Sequence, residues 1–258
     1  MEVSTHKVMA HSDYPTWIGR SNCAHCGIFR DVLFSSLTTE DLVPIIEGIY
    51  EPIDEFCYKP GAVLYQEGGE DNAIYTLRSG LVKLVRYRAD NGGERIIRLL
   101  KTADSTGLER LLDKPYGHTA IAIREVHACR IPVAMLQKLD EEKPRFYRQL
   151  MERWATGLFQ ADDYIMLLMT GSAHDRVAHL IKWLGMVTTN KRTNRLELLS
   201  GKDMAAMLDL SIESISRIIA DLKRRKILRY TDKGGYYEYD PESLDKYAAL
   251  HQRKNGAE

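Results

Sequence analysis

The stretch Leu208-Asp209-Leu210-Ser211-Ile212-Glu213-Ser214-Ile215-Ser216-Arg217-Ile218-Ile219 reads as the turn and second helix of a helix-turn-helix. Upstream, Gly201-Lys202-Asp203-Met204-Ala205-Ala206-Met207-Leu208 places small and apolar residues at helical spacing, as the supporting helix of such a pair requires. Ser211 suits the N-cap of the second helix, because its hydroxyl accepts from an amide that the first turn leaves unpaired. The apolar positions Ile212, Ile215, Ile218, Ile219 and Leu222 predict one buried stripe, with Glu213, Ser214, Ser216 and Arg217 facing outward near the helix start. An arginine can pair bidentately with guanine O6 and N7, a glutamate can accept from cytosine N4, and a serine can reach a base edge or a phosphate. Behind them, Lys223-Arg224-Arg225-Lys226 and Arg229 supply charge for sequence-independent contact with phosphates. Lys233-Gly234-Gly235-Tyr236, between Ile227-Leu228-Arg229-Tyr230 and Tyr237-Glu238-Tyr239, predicts a hairpin tip, or wing. On an ordinary amphipathic helix such charges would be a solvated face. Here turn, helix polarity, basic cluster and wing follow one another in the order a reader of double-stranded DNA needs.

Whole-chain composition conceals this module, since 36 Lys+Arg balance 36 Asp+Glu over 258 residues. From Ala173 to Glu258 there are 16 basic against 12 acidic residues, so the preceding part carries 20 against 24. A basic C-terminal module thus follows a mildly acidic one. With 44% hydrophobic residues the chain can bury two cores. No apolar run approaches about 18 residues, and the first 30 residues lack a signal-peptide core, which predicts a cytoplasmic protein with no membrane partner. Four cysteines in that compartment favour thiols or metal ligands over disulfides.

From about Tyr58 to Leu139, Lys59-Pro60-Gly61, Glu67-Gly68-Gly69, Arg78-Ser79-Gly80 and Asn91-Gly92-Gly93 separate short runs rich in β-branched and aromatic residues. Turns at that spacing predict a sandwich or barrel, with strands over 73–77, 81–87, 95–100, 119–123 and 126–132. Thr38-Thr39-Glu40-Asp41 opens a short helix. A long helix is expected from about Pro144 to Gly171-Ser172. Along it Tyr147, Met151, Trp154, Leu158, Ala161, Ile165 and Leu168 recur at alternating strides of four and three, a coiled-coil seam. The stripe either packs on its own domain or joins two copies. A palindrome-reading dimer favours the second, with a parallel homodimer as the result. A further helix over 175–184 begins the C-terminal domain.

In this order the parts resemble the cAMP-receptor/FNR family of bacterial transcription regulators, over most of the chain from about Cys23 to Tyr247. The resemblance implies an α+β protein that is not an enzyme. Its expected parts are an N-terminal cysteine-containing arm (1–35), a cyclic-nucleotide-binding-like β-roll (36–139), a dimerisation helix (140–171), a winged helix-turn-helix (172–250) and a tail (251–258). Glu213-Ser214-Ile215-Ser216-Arg217 is similar to the E-x-x-S-R signature of the FNR branch, which reads TTGAT-type half-sites. That similarity carries DNA reading to Glu213, Ser216 and Arg217, with RNA polymerase as the partner the family implies. Thr106-Gly107-Leu108-Glu109 resembles the start of the family's phosphate-binding cassette, but Gly117-His118-Thr119-Ala120 stands where cyclic-nucleotide binders need an arginine and a small hydroxyl residue. Without that arginine nothing offsets the desolvation of a phosphate, so Gly107 and Glu109 read as fold residues and no cAMP is expected.

Cys23-Ala24-His25-Cys26 has the spacing that lets two thiolates share one metal centre, and Cys129 matches the distant cysteine with which FNR proteins hold an oxygen-labile [4Fe-4S] cluster. The resemblance therefore implies Cys23, Cys26 and Cys129 as ligands. The family's remaining cysteine is replaced by Val32, leaving Cys57, just before the first strand of the roll, or Asp31 or His25 as the fourth donor. The alternatives are a zinc-binding or inert pair with Cys57 and Cys129 as core residues, or a regulator sensing haem through His118 or His127, nitric oxide, a metabolite or thiol redox state. The seam also departs from FNR proteins, where an acidic residue weakens the dimer. Ala161 occupies that position and Asp162 and Asp163 lie off the stripe, so the dimer is expected to depend less on its effector.

Overall fold

Glycine-punctuated runs of β-branched and aromatic residues form most of the first of two units into which the chain divides, one comprising residues 1–86 and 97–157, the other 87–96 and 158–258. The computed structural model describes residues 15–21, 23, 26–28, 34, 37–38, 40–47, 49–88, 92–142, 144–188, 195–231 and 235–252, the side chains of 42, 45, 46, 140, 142, 144, 145, 147, 188 and 252 excepted. His25, Asp31, Lys233, Gly234 and the side chain of Tyr147 therefore lie outside the described part.

In chain order the strands that build most of the first unit, with the end of β5 and the start of β6 falling among residues 87–96, are β1 (Thr16–Arg20), β2 (Asp54–Tyr58), β3 (Val63–Tyr65), β4 (Ala73–Ser79), β5 (Val82–Tyr87), β6 (Glu94–Leu100), β7 (Ser105–Thr106), β8 (Thr119–Ala122) and β9 (Val126–Pro132). Two sheets result, one ordered β1-β2-β9-β4-β7 and the other β3-β8-β5-β6. The five predicted strands are present with ends moved by one or two residues, whereas β1, β2, β3 and β7 were not anticipated. Two expectations change with them. The separate arm over residues 1–35 instead contributes β1, paired antiparallel with β2. Cys57 lies within β2 rather than ahead of the first strand.

β9 is the middle strand of its sheet and is covered on both sides. Its alternate residues Val126 and Ala128 enter the interior of the roll with Tyr58, Tyr75, Leu77, Val82 and Leu84. On the other face Ile131 joins Ile53, Ile74, Phe34, Val133 and Phe146, with Cys129 packed against that cluster. Thr38 opens the helical turn before α1 (Val43–Ile46) as a capping box: its hydroxyl accepts from the Asp41 amide at 3.3 Å and the Asp41 carboxylate accepts from its amide at 2.8 Å. The sheet region ends earlier than the expected residue 139, because Val133, Leu136 and Leu139 recur at helical spacing and form α2 (Val133–Glu142).

Pro144 begins α3 (Pro144–Leu168), a position that needs no amide hydrogen. Along it Met151, Trp154, Leu158 and Ile165 are exposed, Ala161 is half-buried, and Asp162 and Asp163 face solvent. Leu168 departs from the predicted seam. It is buried within the chain, so the outward stripe ends at Ile165, and the helix stops three residues before Gly171. Among the described residues no helix is long and apolar enough to cross a membrane.

The second unit contains α4 (Ala173–Thr188), β10 (Arg195–Leu196), α5 (Gly201–Leu208), α6 (Ile212–Arg224), β11 (Leu228–Tyr230), β12 (Tyr237–Tyr239) and α7 (Pro241–Gln252), with its strands ordered β10-β12-β11. Asp209 ends α5 in the left-handed conformation (φ +54°), which turns the chain into α6. The Arg95 guanidinium, also in this unit, lies 3.2 Å from the Asp209 carboxylate and donates to the Ala206 carbonyl at 3.3 Å.

Gly80, in the turn between β4 and β5, has φ +96°, and a Cβ there would meet the Glu125 carbonyl and lie 2.8 Å from the Val126 Cα. Gly80→Ala is expected to cost about 1–3 kcal/mol in thermal unfolding. Gly117→Ala, where a Cβ meets nothing within 4 Å, should be close to neutral. Equal melting temperatures for the two variants would contradict this account of the turn.

Candidate functional site

Two serine caps build the candidate nucleic-acid face. Ser200 accepts from the Asp203 amide at 3.0 Å and starts α5; Ser211 accepts from the Ser214 amide at 3.1 Å and starts α6. Ile215, Ile218, Ile219 and Leu222 are buried, holding α6 against its unit. Ile212 is not part of that stripe as expected: it is 53% exposed, because the first residue of a helix projects beyond the supporting packing. Glu213, Ser216 and Arg217 are exposed and Ser214 is half-buried, its hydroxyl 3.4 Å from the Arg217 guanidinium. Hydrogen bonds from its own amide and from Ser211 hold the Glu213 carboxyl below its usual range, so this side chain is an ionised acceptor.

The basic cluster is less uniform than its sequence suggests. Lys223 donates to the Tyr237 hydroxyl at 3.0 Å and lies over that ring, tying α6 to β12. Arg224 pairs with Asp221, as does Arg225 at 2.9 Å. These contacts aim the cations from one end of the helix while leaving all three exposed.

In the first unit, Cys23, Cys26 and Cys129 line one cavity of about 20 Å³ together with Ile28, Phe34, Ile53, Thr76, Arg78 and Ile131. The Cys26 amide donates to the Cys23 carbonyl at 3.3 Å, which folds the pair into a tight turn. Cys129 is delivered by β9, whose register sets it opposite Glu55 on β2 and Thr76 on β4. Ser21 lies 3.1 Å from its sulfur. Burial, then the neighbouring thiols Cys129 and Cys26, push the Cys23 thiol up to about 12; burial pushes Cys129 up to about 11, against the Ser21 hydrogen bond and the Arg78 charge. Three converging thiols suit a thiolate-bound metal centre such as an iron–sulfur cluster. Ion ligation would displace the protons that burial otherwise holds on Cys23 and Cys129.

Cys57 does not line this cavity. It sits opposite His127 across the β2–β9 pair, beside Glu125. Arg78 and Thr76 were not singled out by sequence reading, since only the pairing of β4 with β9 brings them to the thiols.

The cassette region is internally satisfied. Gly107 has φ +83°, and a Cβ there would fall 2.9 Å from the Tyr116 ring, while Glu109 accepts from the Gly117 amide at 3.1 Å. The nearby buried Arg110 spends its guanidinium on the carbonyls of Asp71, Lys114 and Glu70. His118 lies 2.7 Å from the Tyr65 hydroxyl and His127 lies 3.3 Å from Glu55, so each haem candidate is engaged within the chain.

Residues 55–143 match the family model of the cyclic nucleotide-binding domain, and residues 175–247 match that of the Crp-like helix-turn-helix domain. The chain belongs to the CRP/FNR family. It is 29% identical over 237 residues to the fumarate and nitrate reduction regulatory protein of Salmonella typhi, covering 89% of this chain and 90% of the relative. To the anaerobic regulatory protein of Pasteurella multocida it is 27% identical over 219 residues, 82% of this chain and 77% of the relative. The fold is similar to that of FixK2 from Bradyrhizobium japonicum, with a TM-score of 0.67 at 22% identity over 76% of this chain and 96% of that one. CRP/FNR proteins are transcription regulators, not enzymes, and this member is a DNA-binding regulator with an α+β fold.

Burial lowers the pKa of His118 from its ordinary 6.5. The unfolded chain therefore takes up a proton that the folded chain resists, so His118 contributes stability above about pH 6.5 that is lost as pH falls below it. Replacing it as His118→Gln should flatten the stability–pH curve on its acid side, starting just below the ordinary 6.5 of a free imidazole, measured by urea unfolding. An unchanged acid slope would contradict the burial of a neutral imidazole.

Proposed function

We propose that this CRP/FNR protein is a homodimeric regulator that reads an FNR-like TTGAT palindrome and answers to oxygen or redox state through an iron–sulfur centre on Cys23, Cys26 and Cys129. The observation that carries the sensor is the convergence of those three thiols, from two separate parts of the sequence, on one cavity. When bound, the centre supplies oxygen-labile iron–sulfur ligation. Cys57 is not its fourth ligand in this proposal; that position falls to an oxygen or nitrogen donor, Asp31 or His25, or to solvent.

The chain's own residues then divide the work. Arg78, which lines the cavity, offsets thiolate charge there. The exposed Met151, Trp154, Leu158 and Ile165, with Ala161 between them, form the apolar seam of a parallel dimer. Two α6 helices related by the dyad would enter successive major grooves, with Arg217 on guanine, Glu213 on cytosine N4, and Ser214 and Ser216 on base edges or phosphates. Lys223 and Arg224 serve the phosphates, and RNA polymerase is the protein partner that the family implies. Free-thiol redox sensing fits the geometry less well, because Cys23 and Cys129 are held as unreactive neutral thiols.

Mobility-shift titrations with a TTGAT palindrome and a scrambled duplex, before and after air exposure of anaerobically purified protein, test this reading. Air is expected to weaken palindrome binding at least about tenfold, about 1.4 kcal/mol. Arg217→Ala should cost about 1–3 kcal/mol on the palindrome alone, whereas Lys223→Ala should weaken both duplexes alike and lower the salt slope by about 1. Equal loss on both duplexes for Arg217→Ala, or binding indifferent to air, would contradict the assignment.

A further inference from the structure

Cys57, left out of the thiol cavity, belongs to a different group of donors. It pairs in register with His127 across the antiparallel strands β2 and β9, so both side chains rise from the same face of the sheet. Glu125, immediately ahead of β9 and two residues before His127, reaches the same group, its carboxylate 3.9 Å from the His127 Nε2. One ligand atom from each of the three, the Cys57 sulfur, a Glu125 oxygen and a His127 nitrogen, lie within 4.8 Å of one another.

The histidine is already oriented for ligation. Its Nδ1 is 3.3 Å from the Glu55 carboxylate, which in turn pairs with Arg78. That arrangement puts the ring proton on Nδ1 and leaves the Nε2 lone pair on the opposite edge, 3.9 Å from the Glu125 carboxylate. A gap of that size is too long for a hydrogen bond, but an ion with bonds of about 2.0–2.2 Å to nitrogen and oxygen spans it. A carboxylate holding the remote nitrogen of a ligating histidine is the usual outer support of such sites.

We infer that Cys57, Glu125 and His127 form a binding site for a divalent transition-metal ion of the zinc class, separate from the Cys23–Cys26–Cys129 cavity. One thiolate, one imidazole and one carboxylate select borderline-soft ions over Mg²⁺ or Ca²⁺, which prefer all-oxygen sets. The two anionic ligands balance the ion's charge. Glu125 is 67% exposed, so the fourth tetrahedral position opens to water. Occupancy would tie β2 to β9 two residues from Cys129.

Cobalt(II) titration of reduced, chelator-treated full-length protein tests the site, because thiolate-to-cobalt charge transfer and visible ligand-field bands report sulfur ligation and tetrahedral geometry. Near-stoichiometric bands are expected in the unchanged protein and in the double variant Cys23→Ser/Cys26→Ser. In that double-variant background, where the thiol cavity is removed as a cobalt site, they should disappear on adding Cys57→Ser or His127→Ala, and Zn²⁺ should displace the cobalt. Glu125→Gln, at an exposed position that folding does not require, should weaken cobalt binding at least about tenfold. Bands of the Cys23/Cys26 double variant that survive the added Cys57→Ser, or no thiolate band in that double variant, would overturn the inference.

Discussion

The antiparallel register of β9 with β2 and β4 is the constraint on which the sheet-built unit of this molecule depends. It sets Cys129 between Glu55 and Thr76, and His127 beside Cys57. Because successive residues of a strand face opposite ways, Val126 and Ala128 anchor the strand in the roll interior while His127, Cys129 and Ile131 are presented together outside. A slip of one residue would turn the histidine and the thiol into the roll interior and Val126 and Ala128 onto the other face, so interior packing also fixes which groups that face presents.

Along that outer face the environment changes from apolar to wet. Ile53, Ile74 and Ile131 are in the core, Cys129 and Thr76 border the cavity, and Cys57, His127 and Glu125 reach solvent. The gradient separates two kinds of thiol chemistry on neighbouring strands, Cys57 on β2 standing opposite His127, two residues from Cys129 on β9. Near the core, Cys23 and Cys129 are held protonated by burial. At the wet end Cys57 has a carboxylate and an oriented imidazole within reach.

In the DNA-binding module, local signals and tertiary packing agree, and the sequence was correspondingly legible. The caps Ser200 and Ser211, the apolar stripe of α6 and the strand pair around Gly235 are each encoded within a few residues. Ile212 misled because a 3.6-residue repeat does not reveal that the first turn of a helix overhangs its support. Leu168 misled for the converse reason: a regular stride cannot tell a partner's surface from the chain's own core. In the β-roll, glycine turns flanking β-branched runs marked β4, β5, β6, β8 and β9, whereas β1, β2, β3 and β7 are short and carry no such run. The convergence of Cys23 and Cys26 with Cys129 was implied by family resemblance, but the departure of Cys57, and the roles of Arg78, Thr76 and Glu55, depend on strand register that no local motif encodes.

Iron and acid-labile sulfide content, with the visible spectrum, of anaerobically reconstituted Cys57→Ser and Cys129→Ser proteins tests the central claim most directly. The account requires that Cys57→Ser retain iron, sulfide and an air-bleached spectrum like those of the unchanged protein, and that Cys129→Ser lose all three. Loss in Cys57→Ser, retention in Cys129→Ser, or no iron in the unchanged protein would contradict a sensor built on Cys23, Cys26 and Cys129.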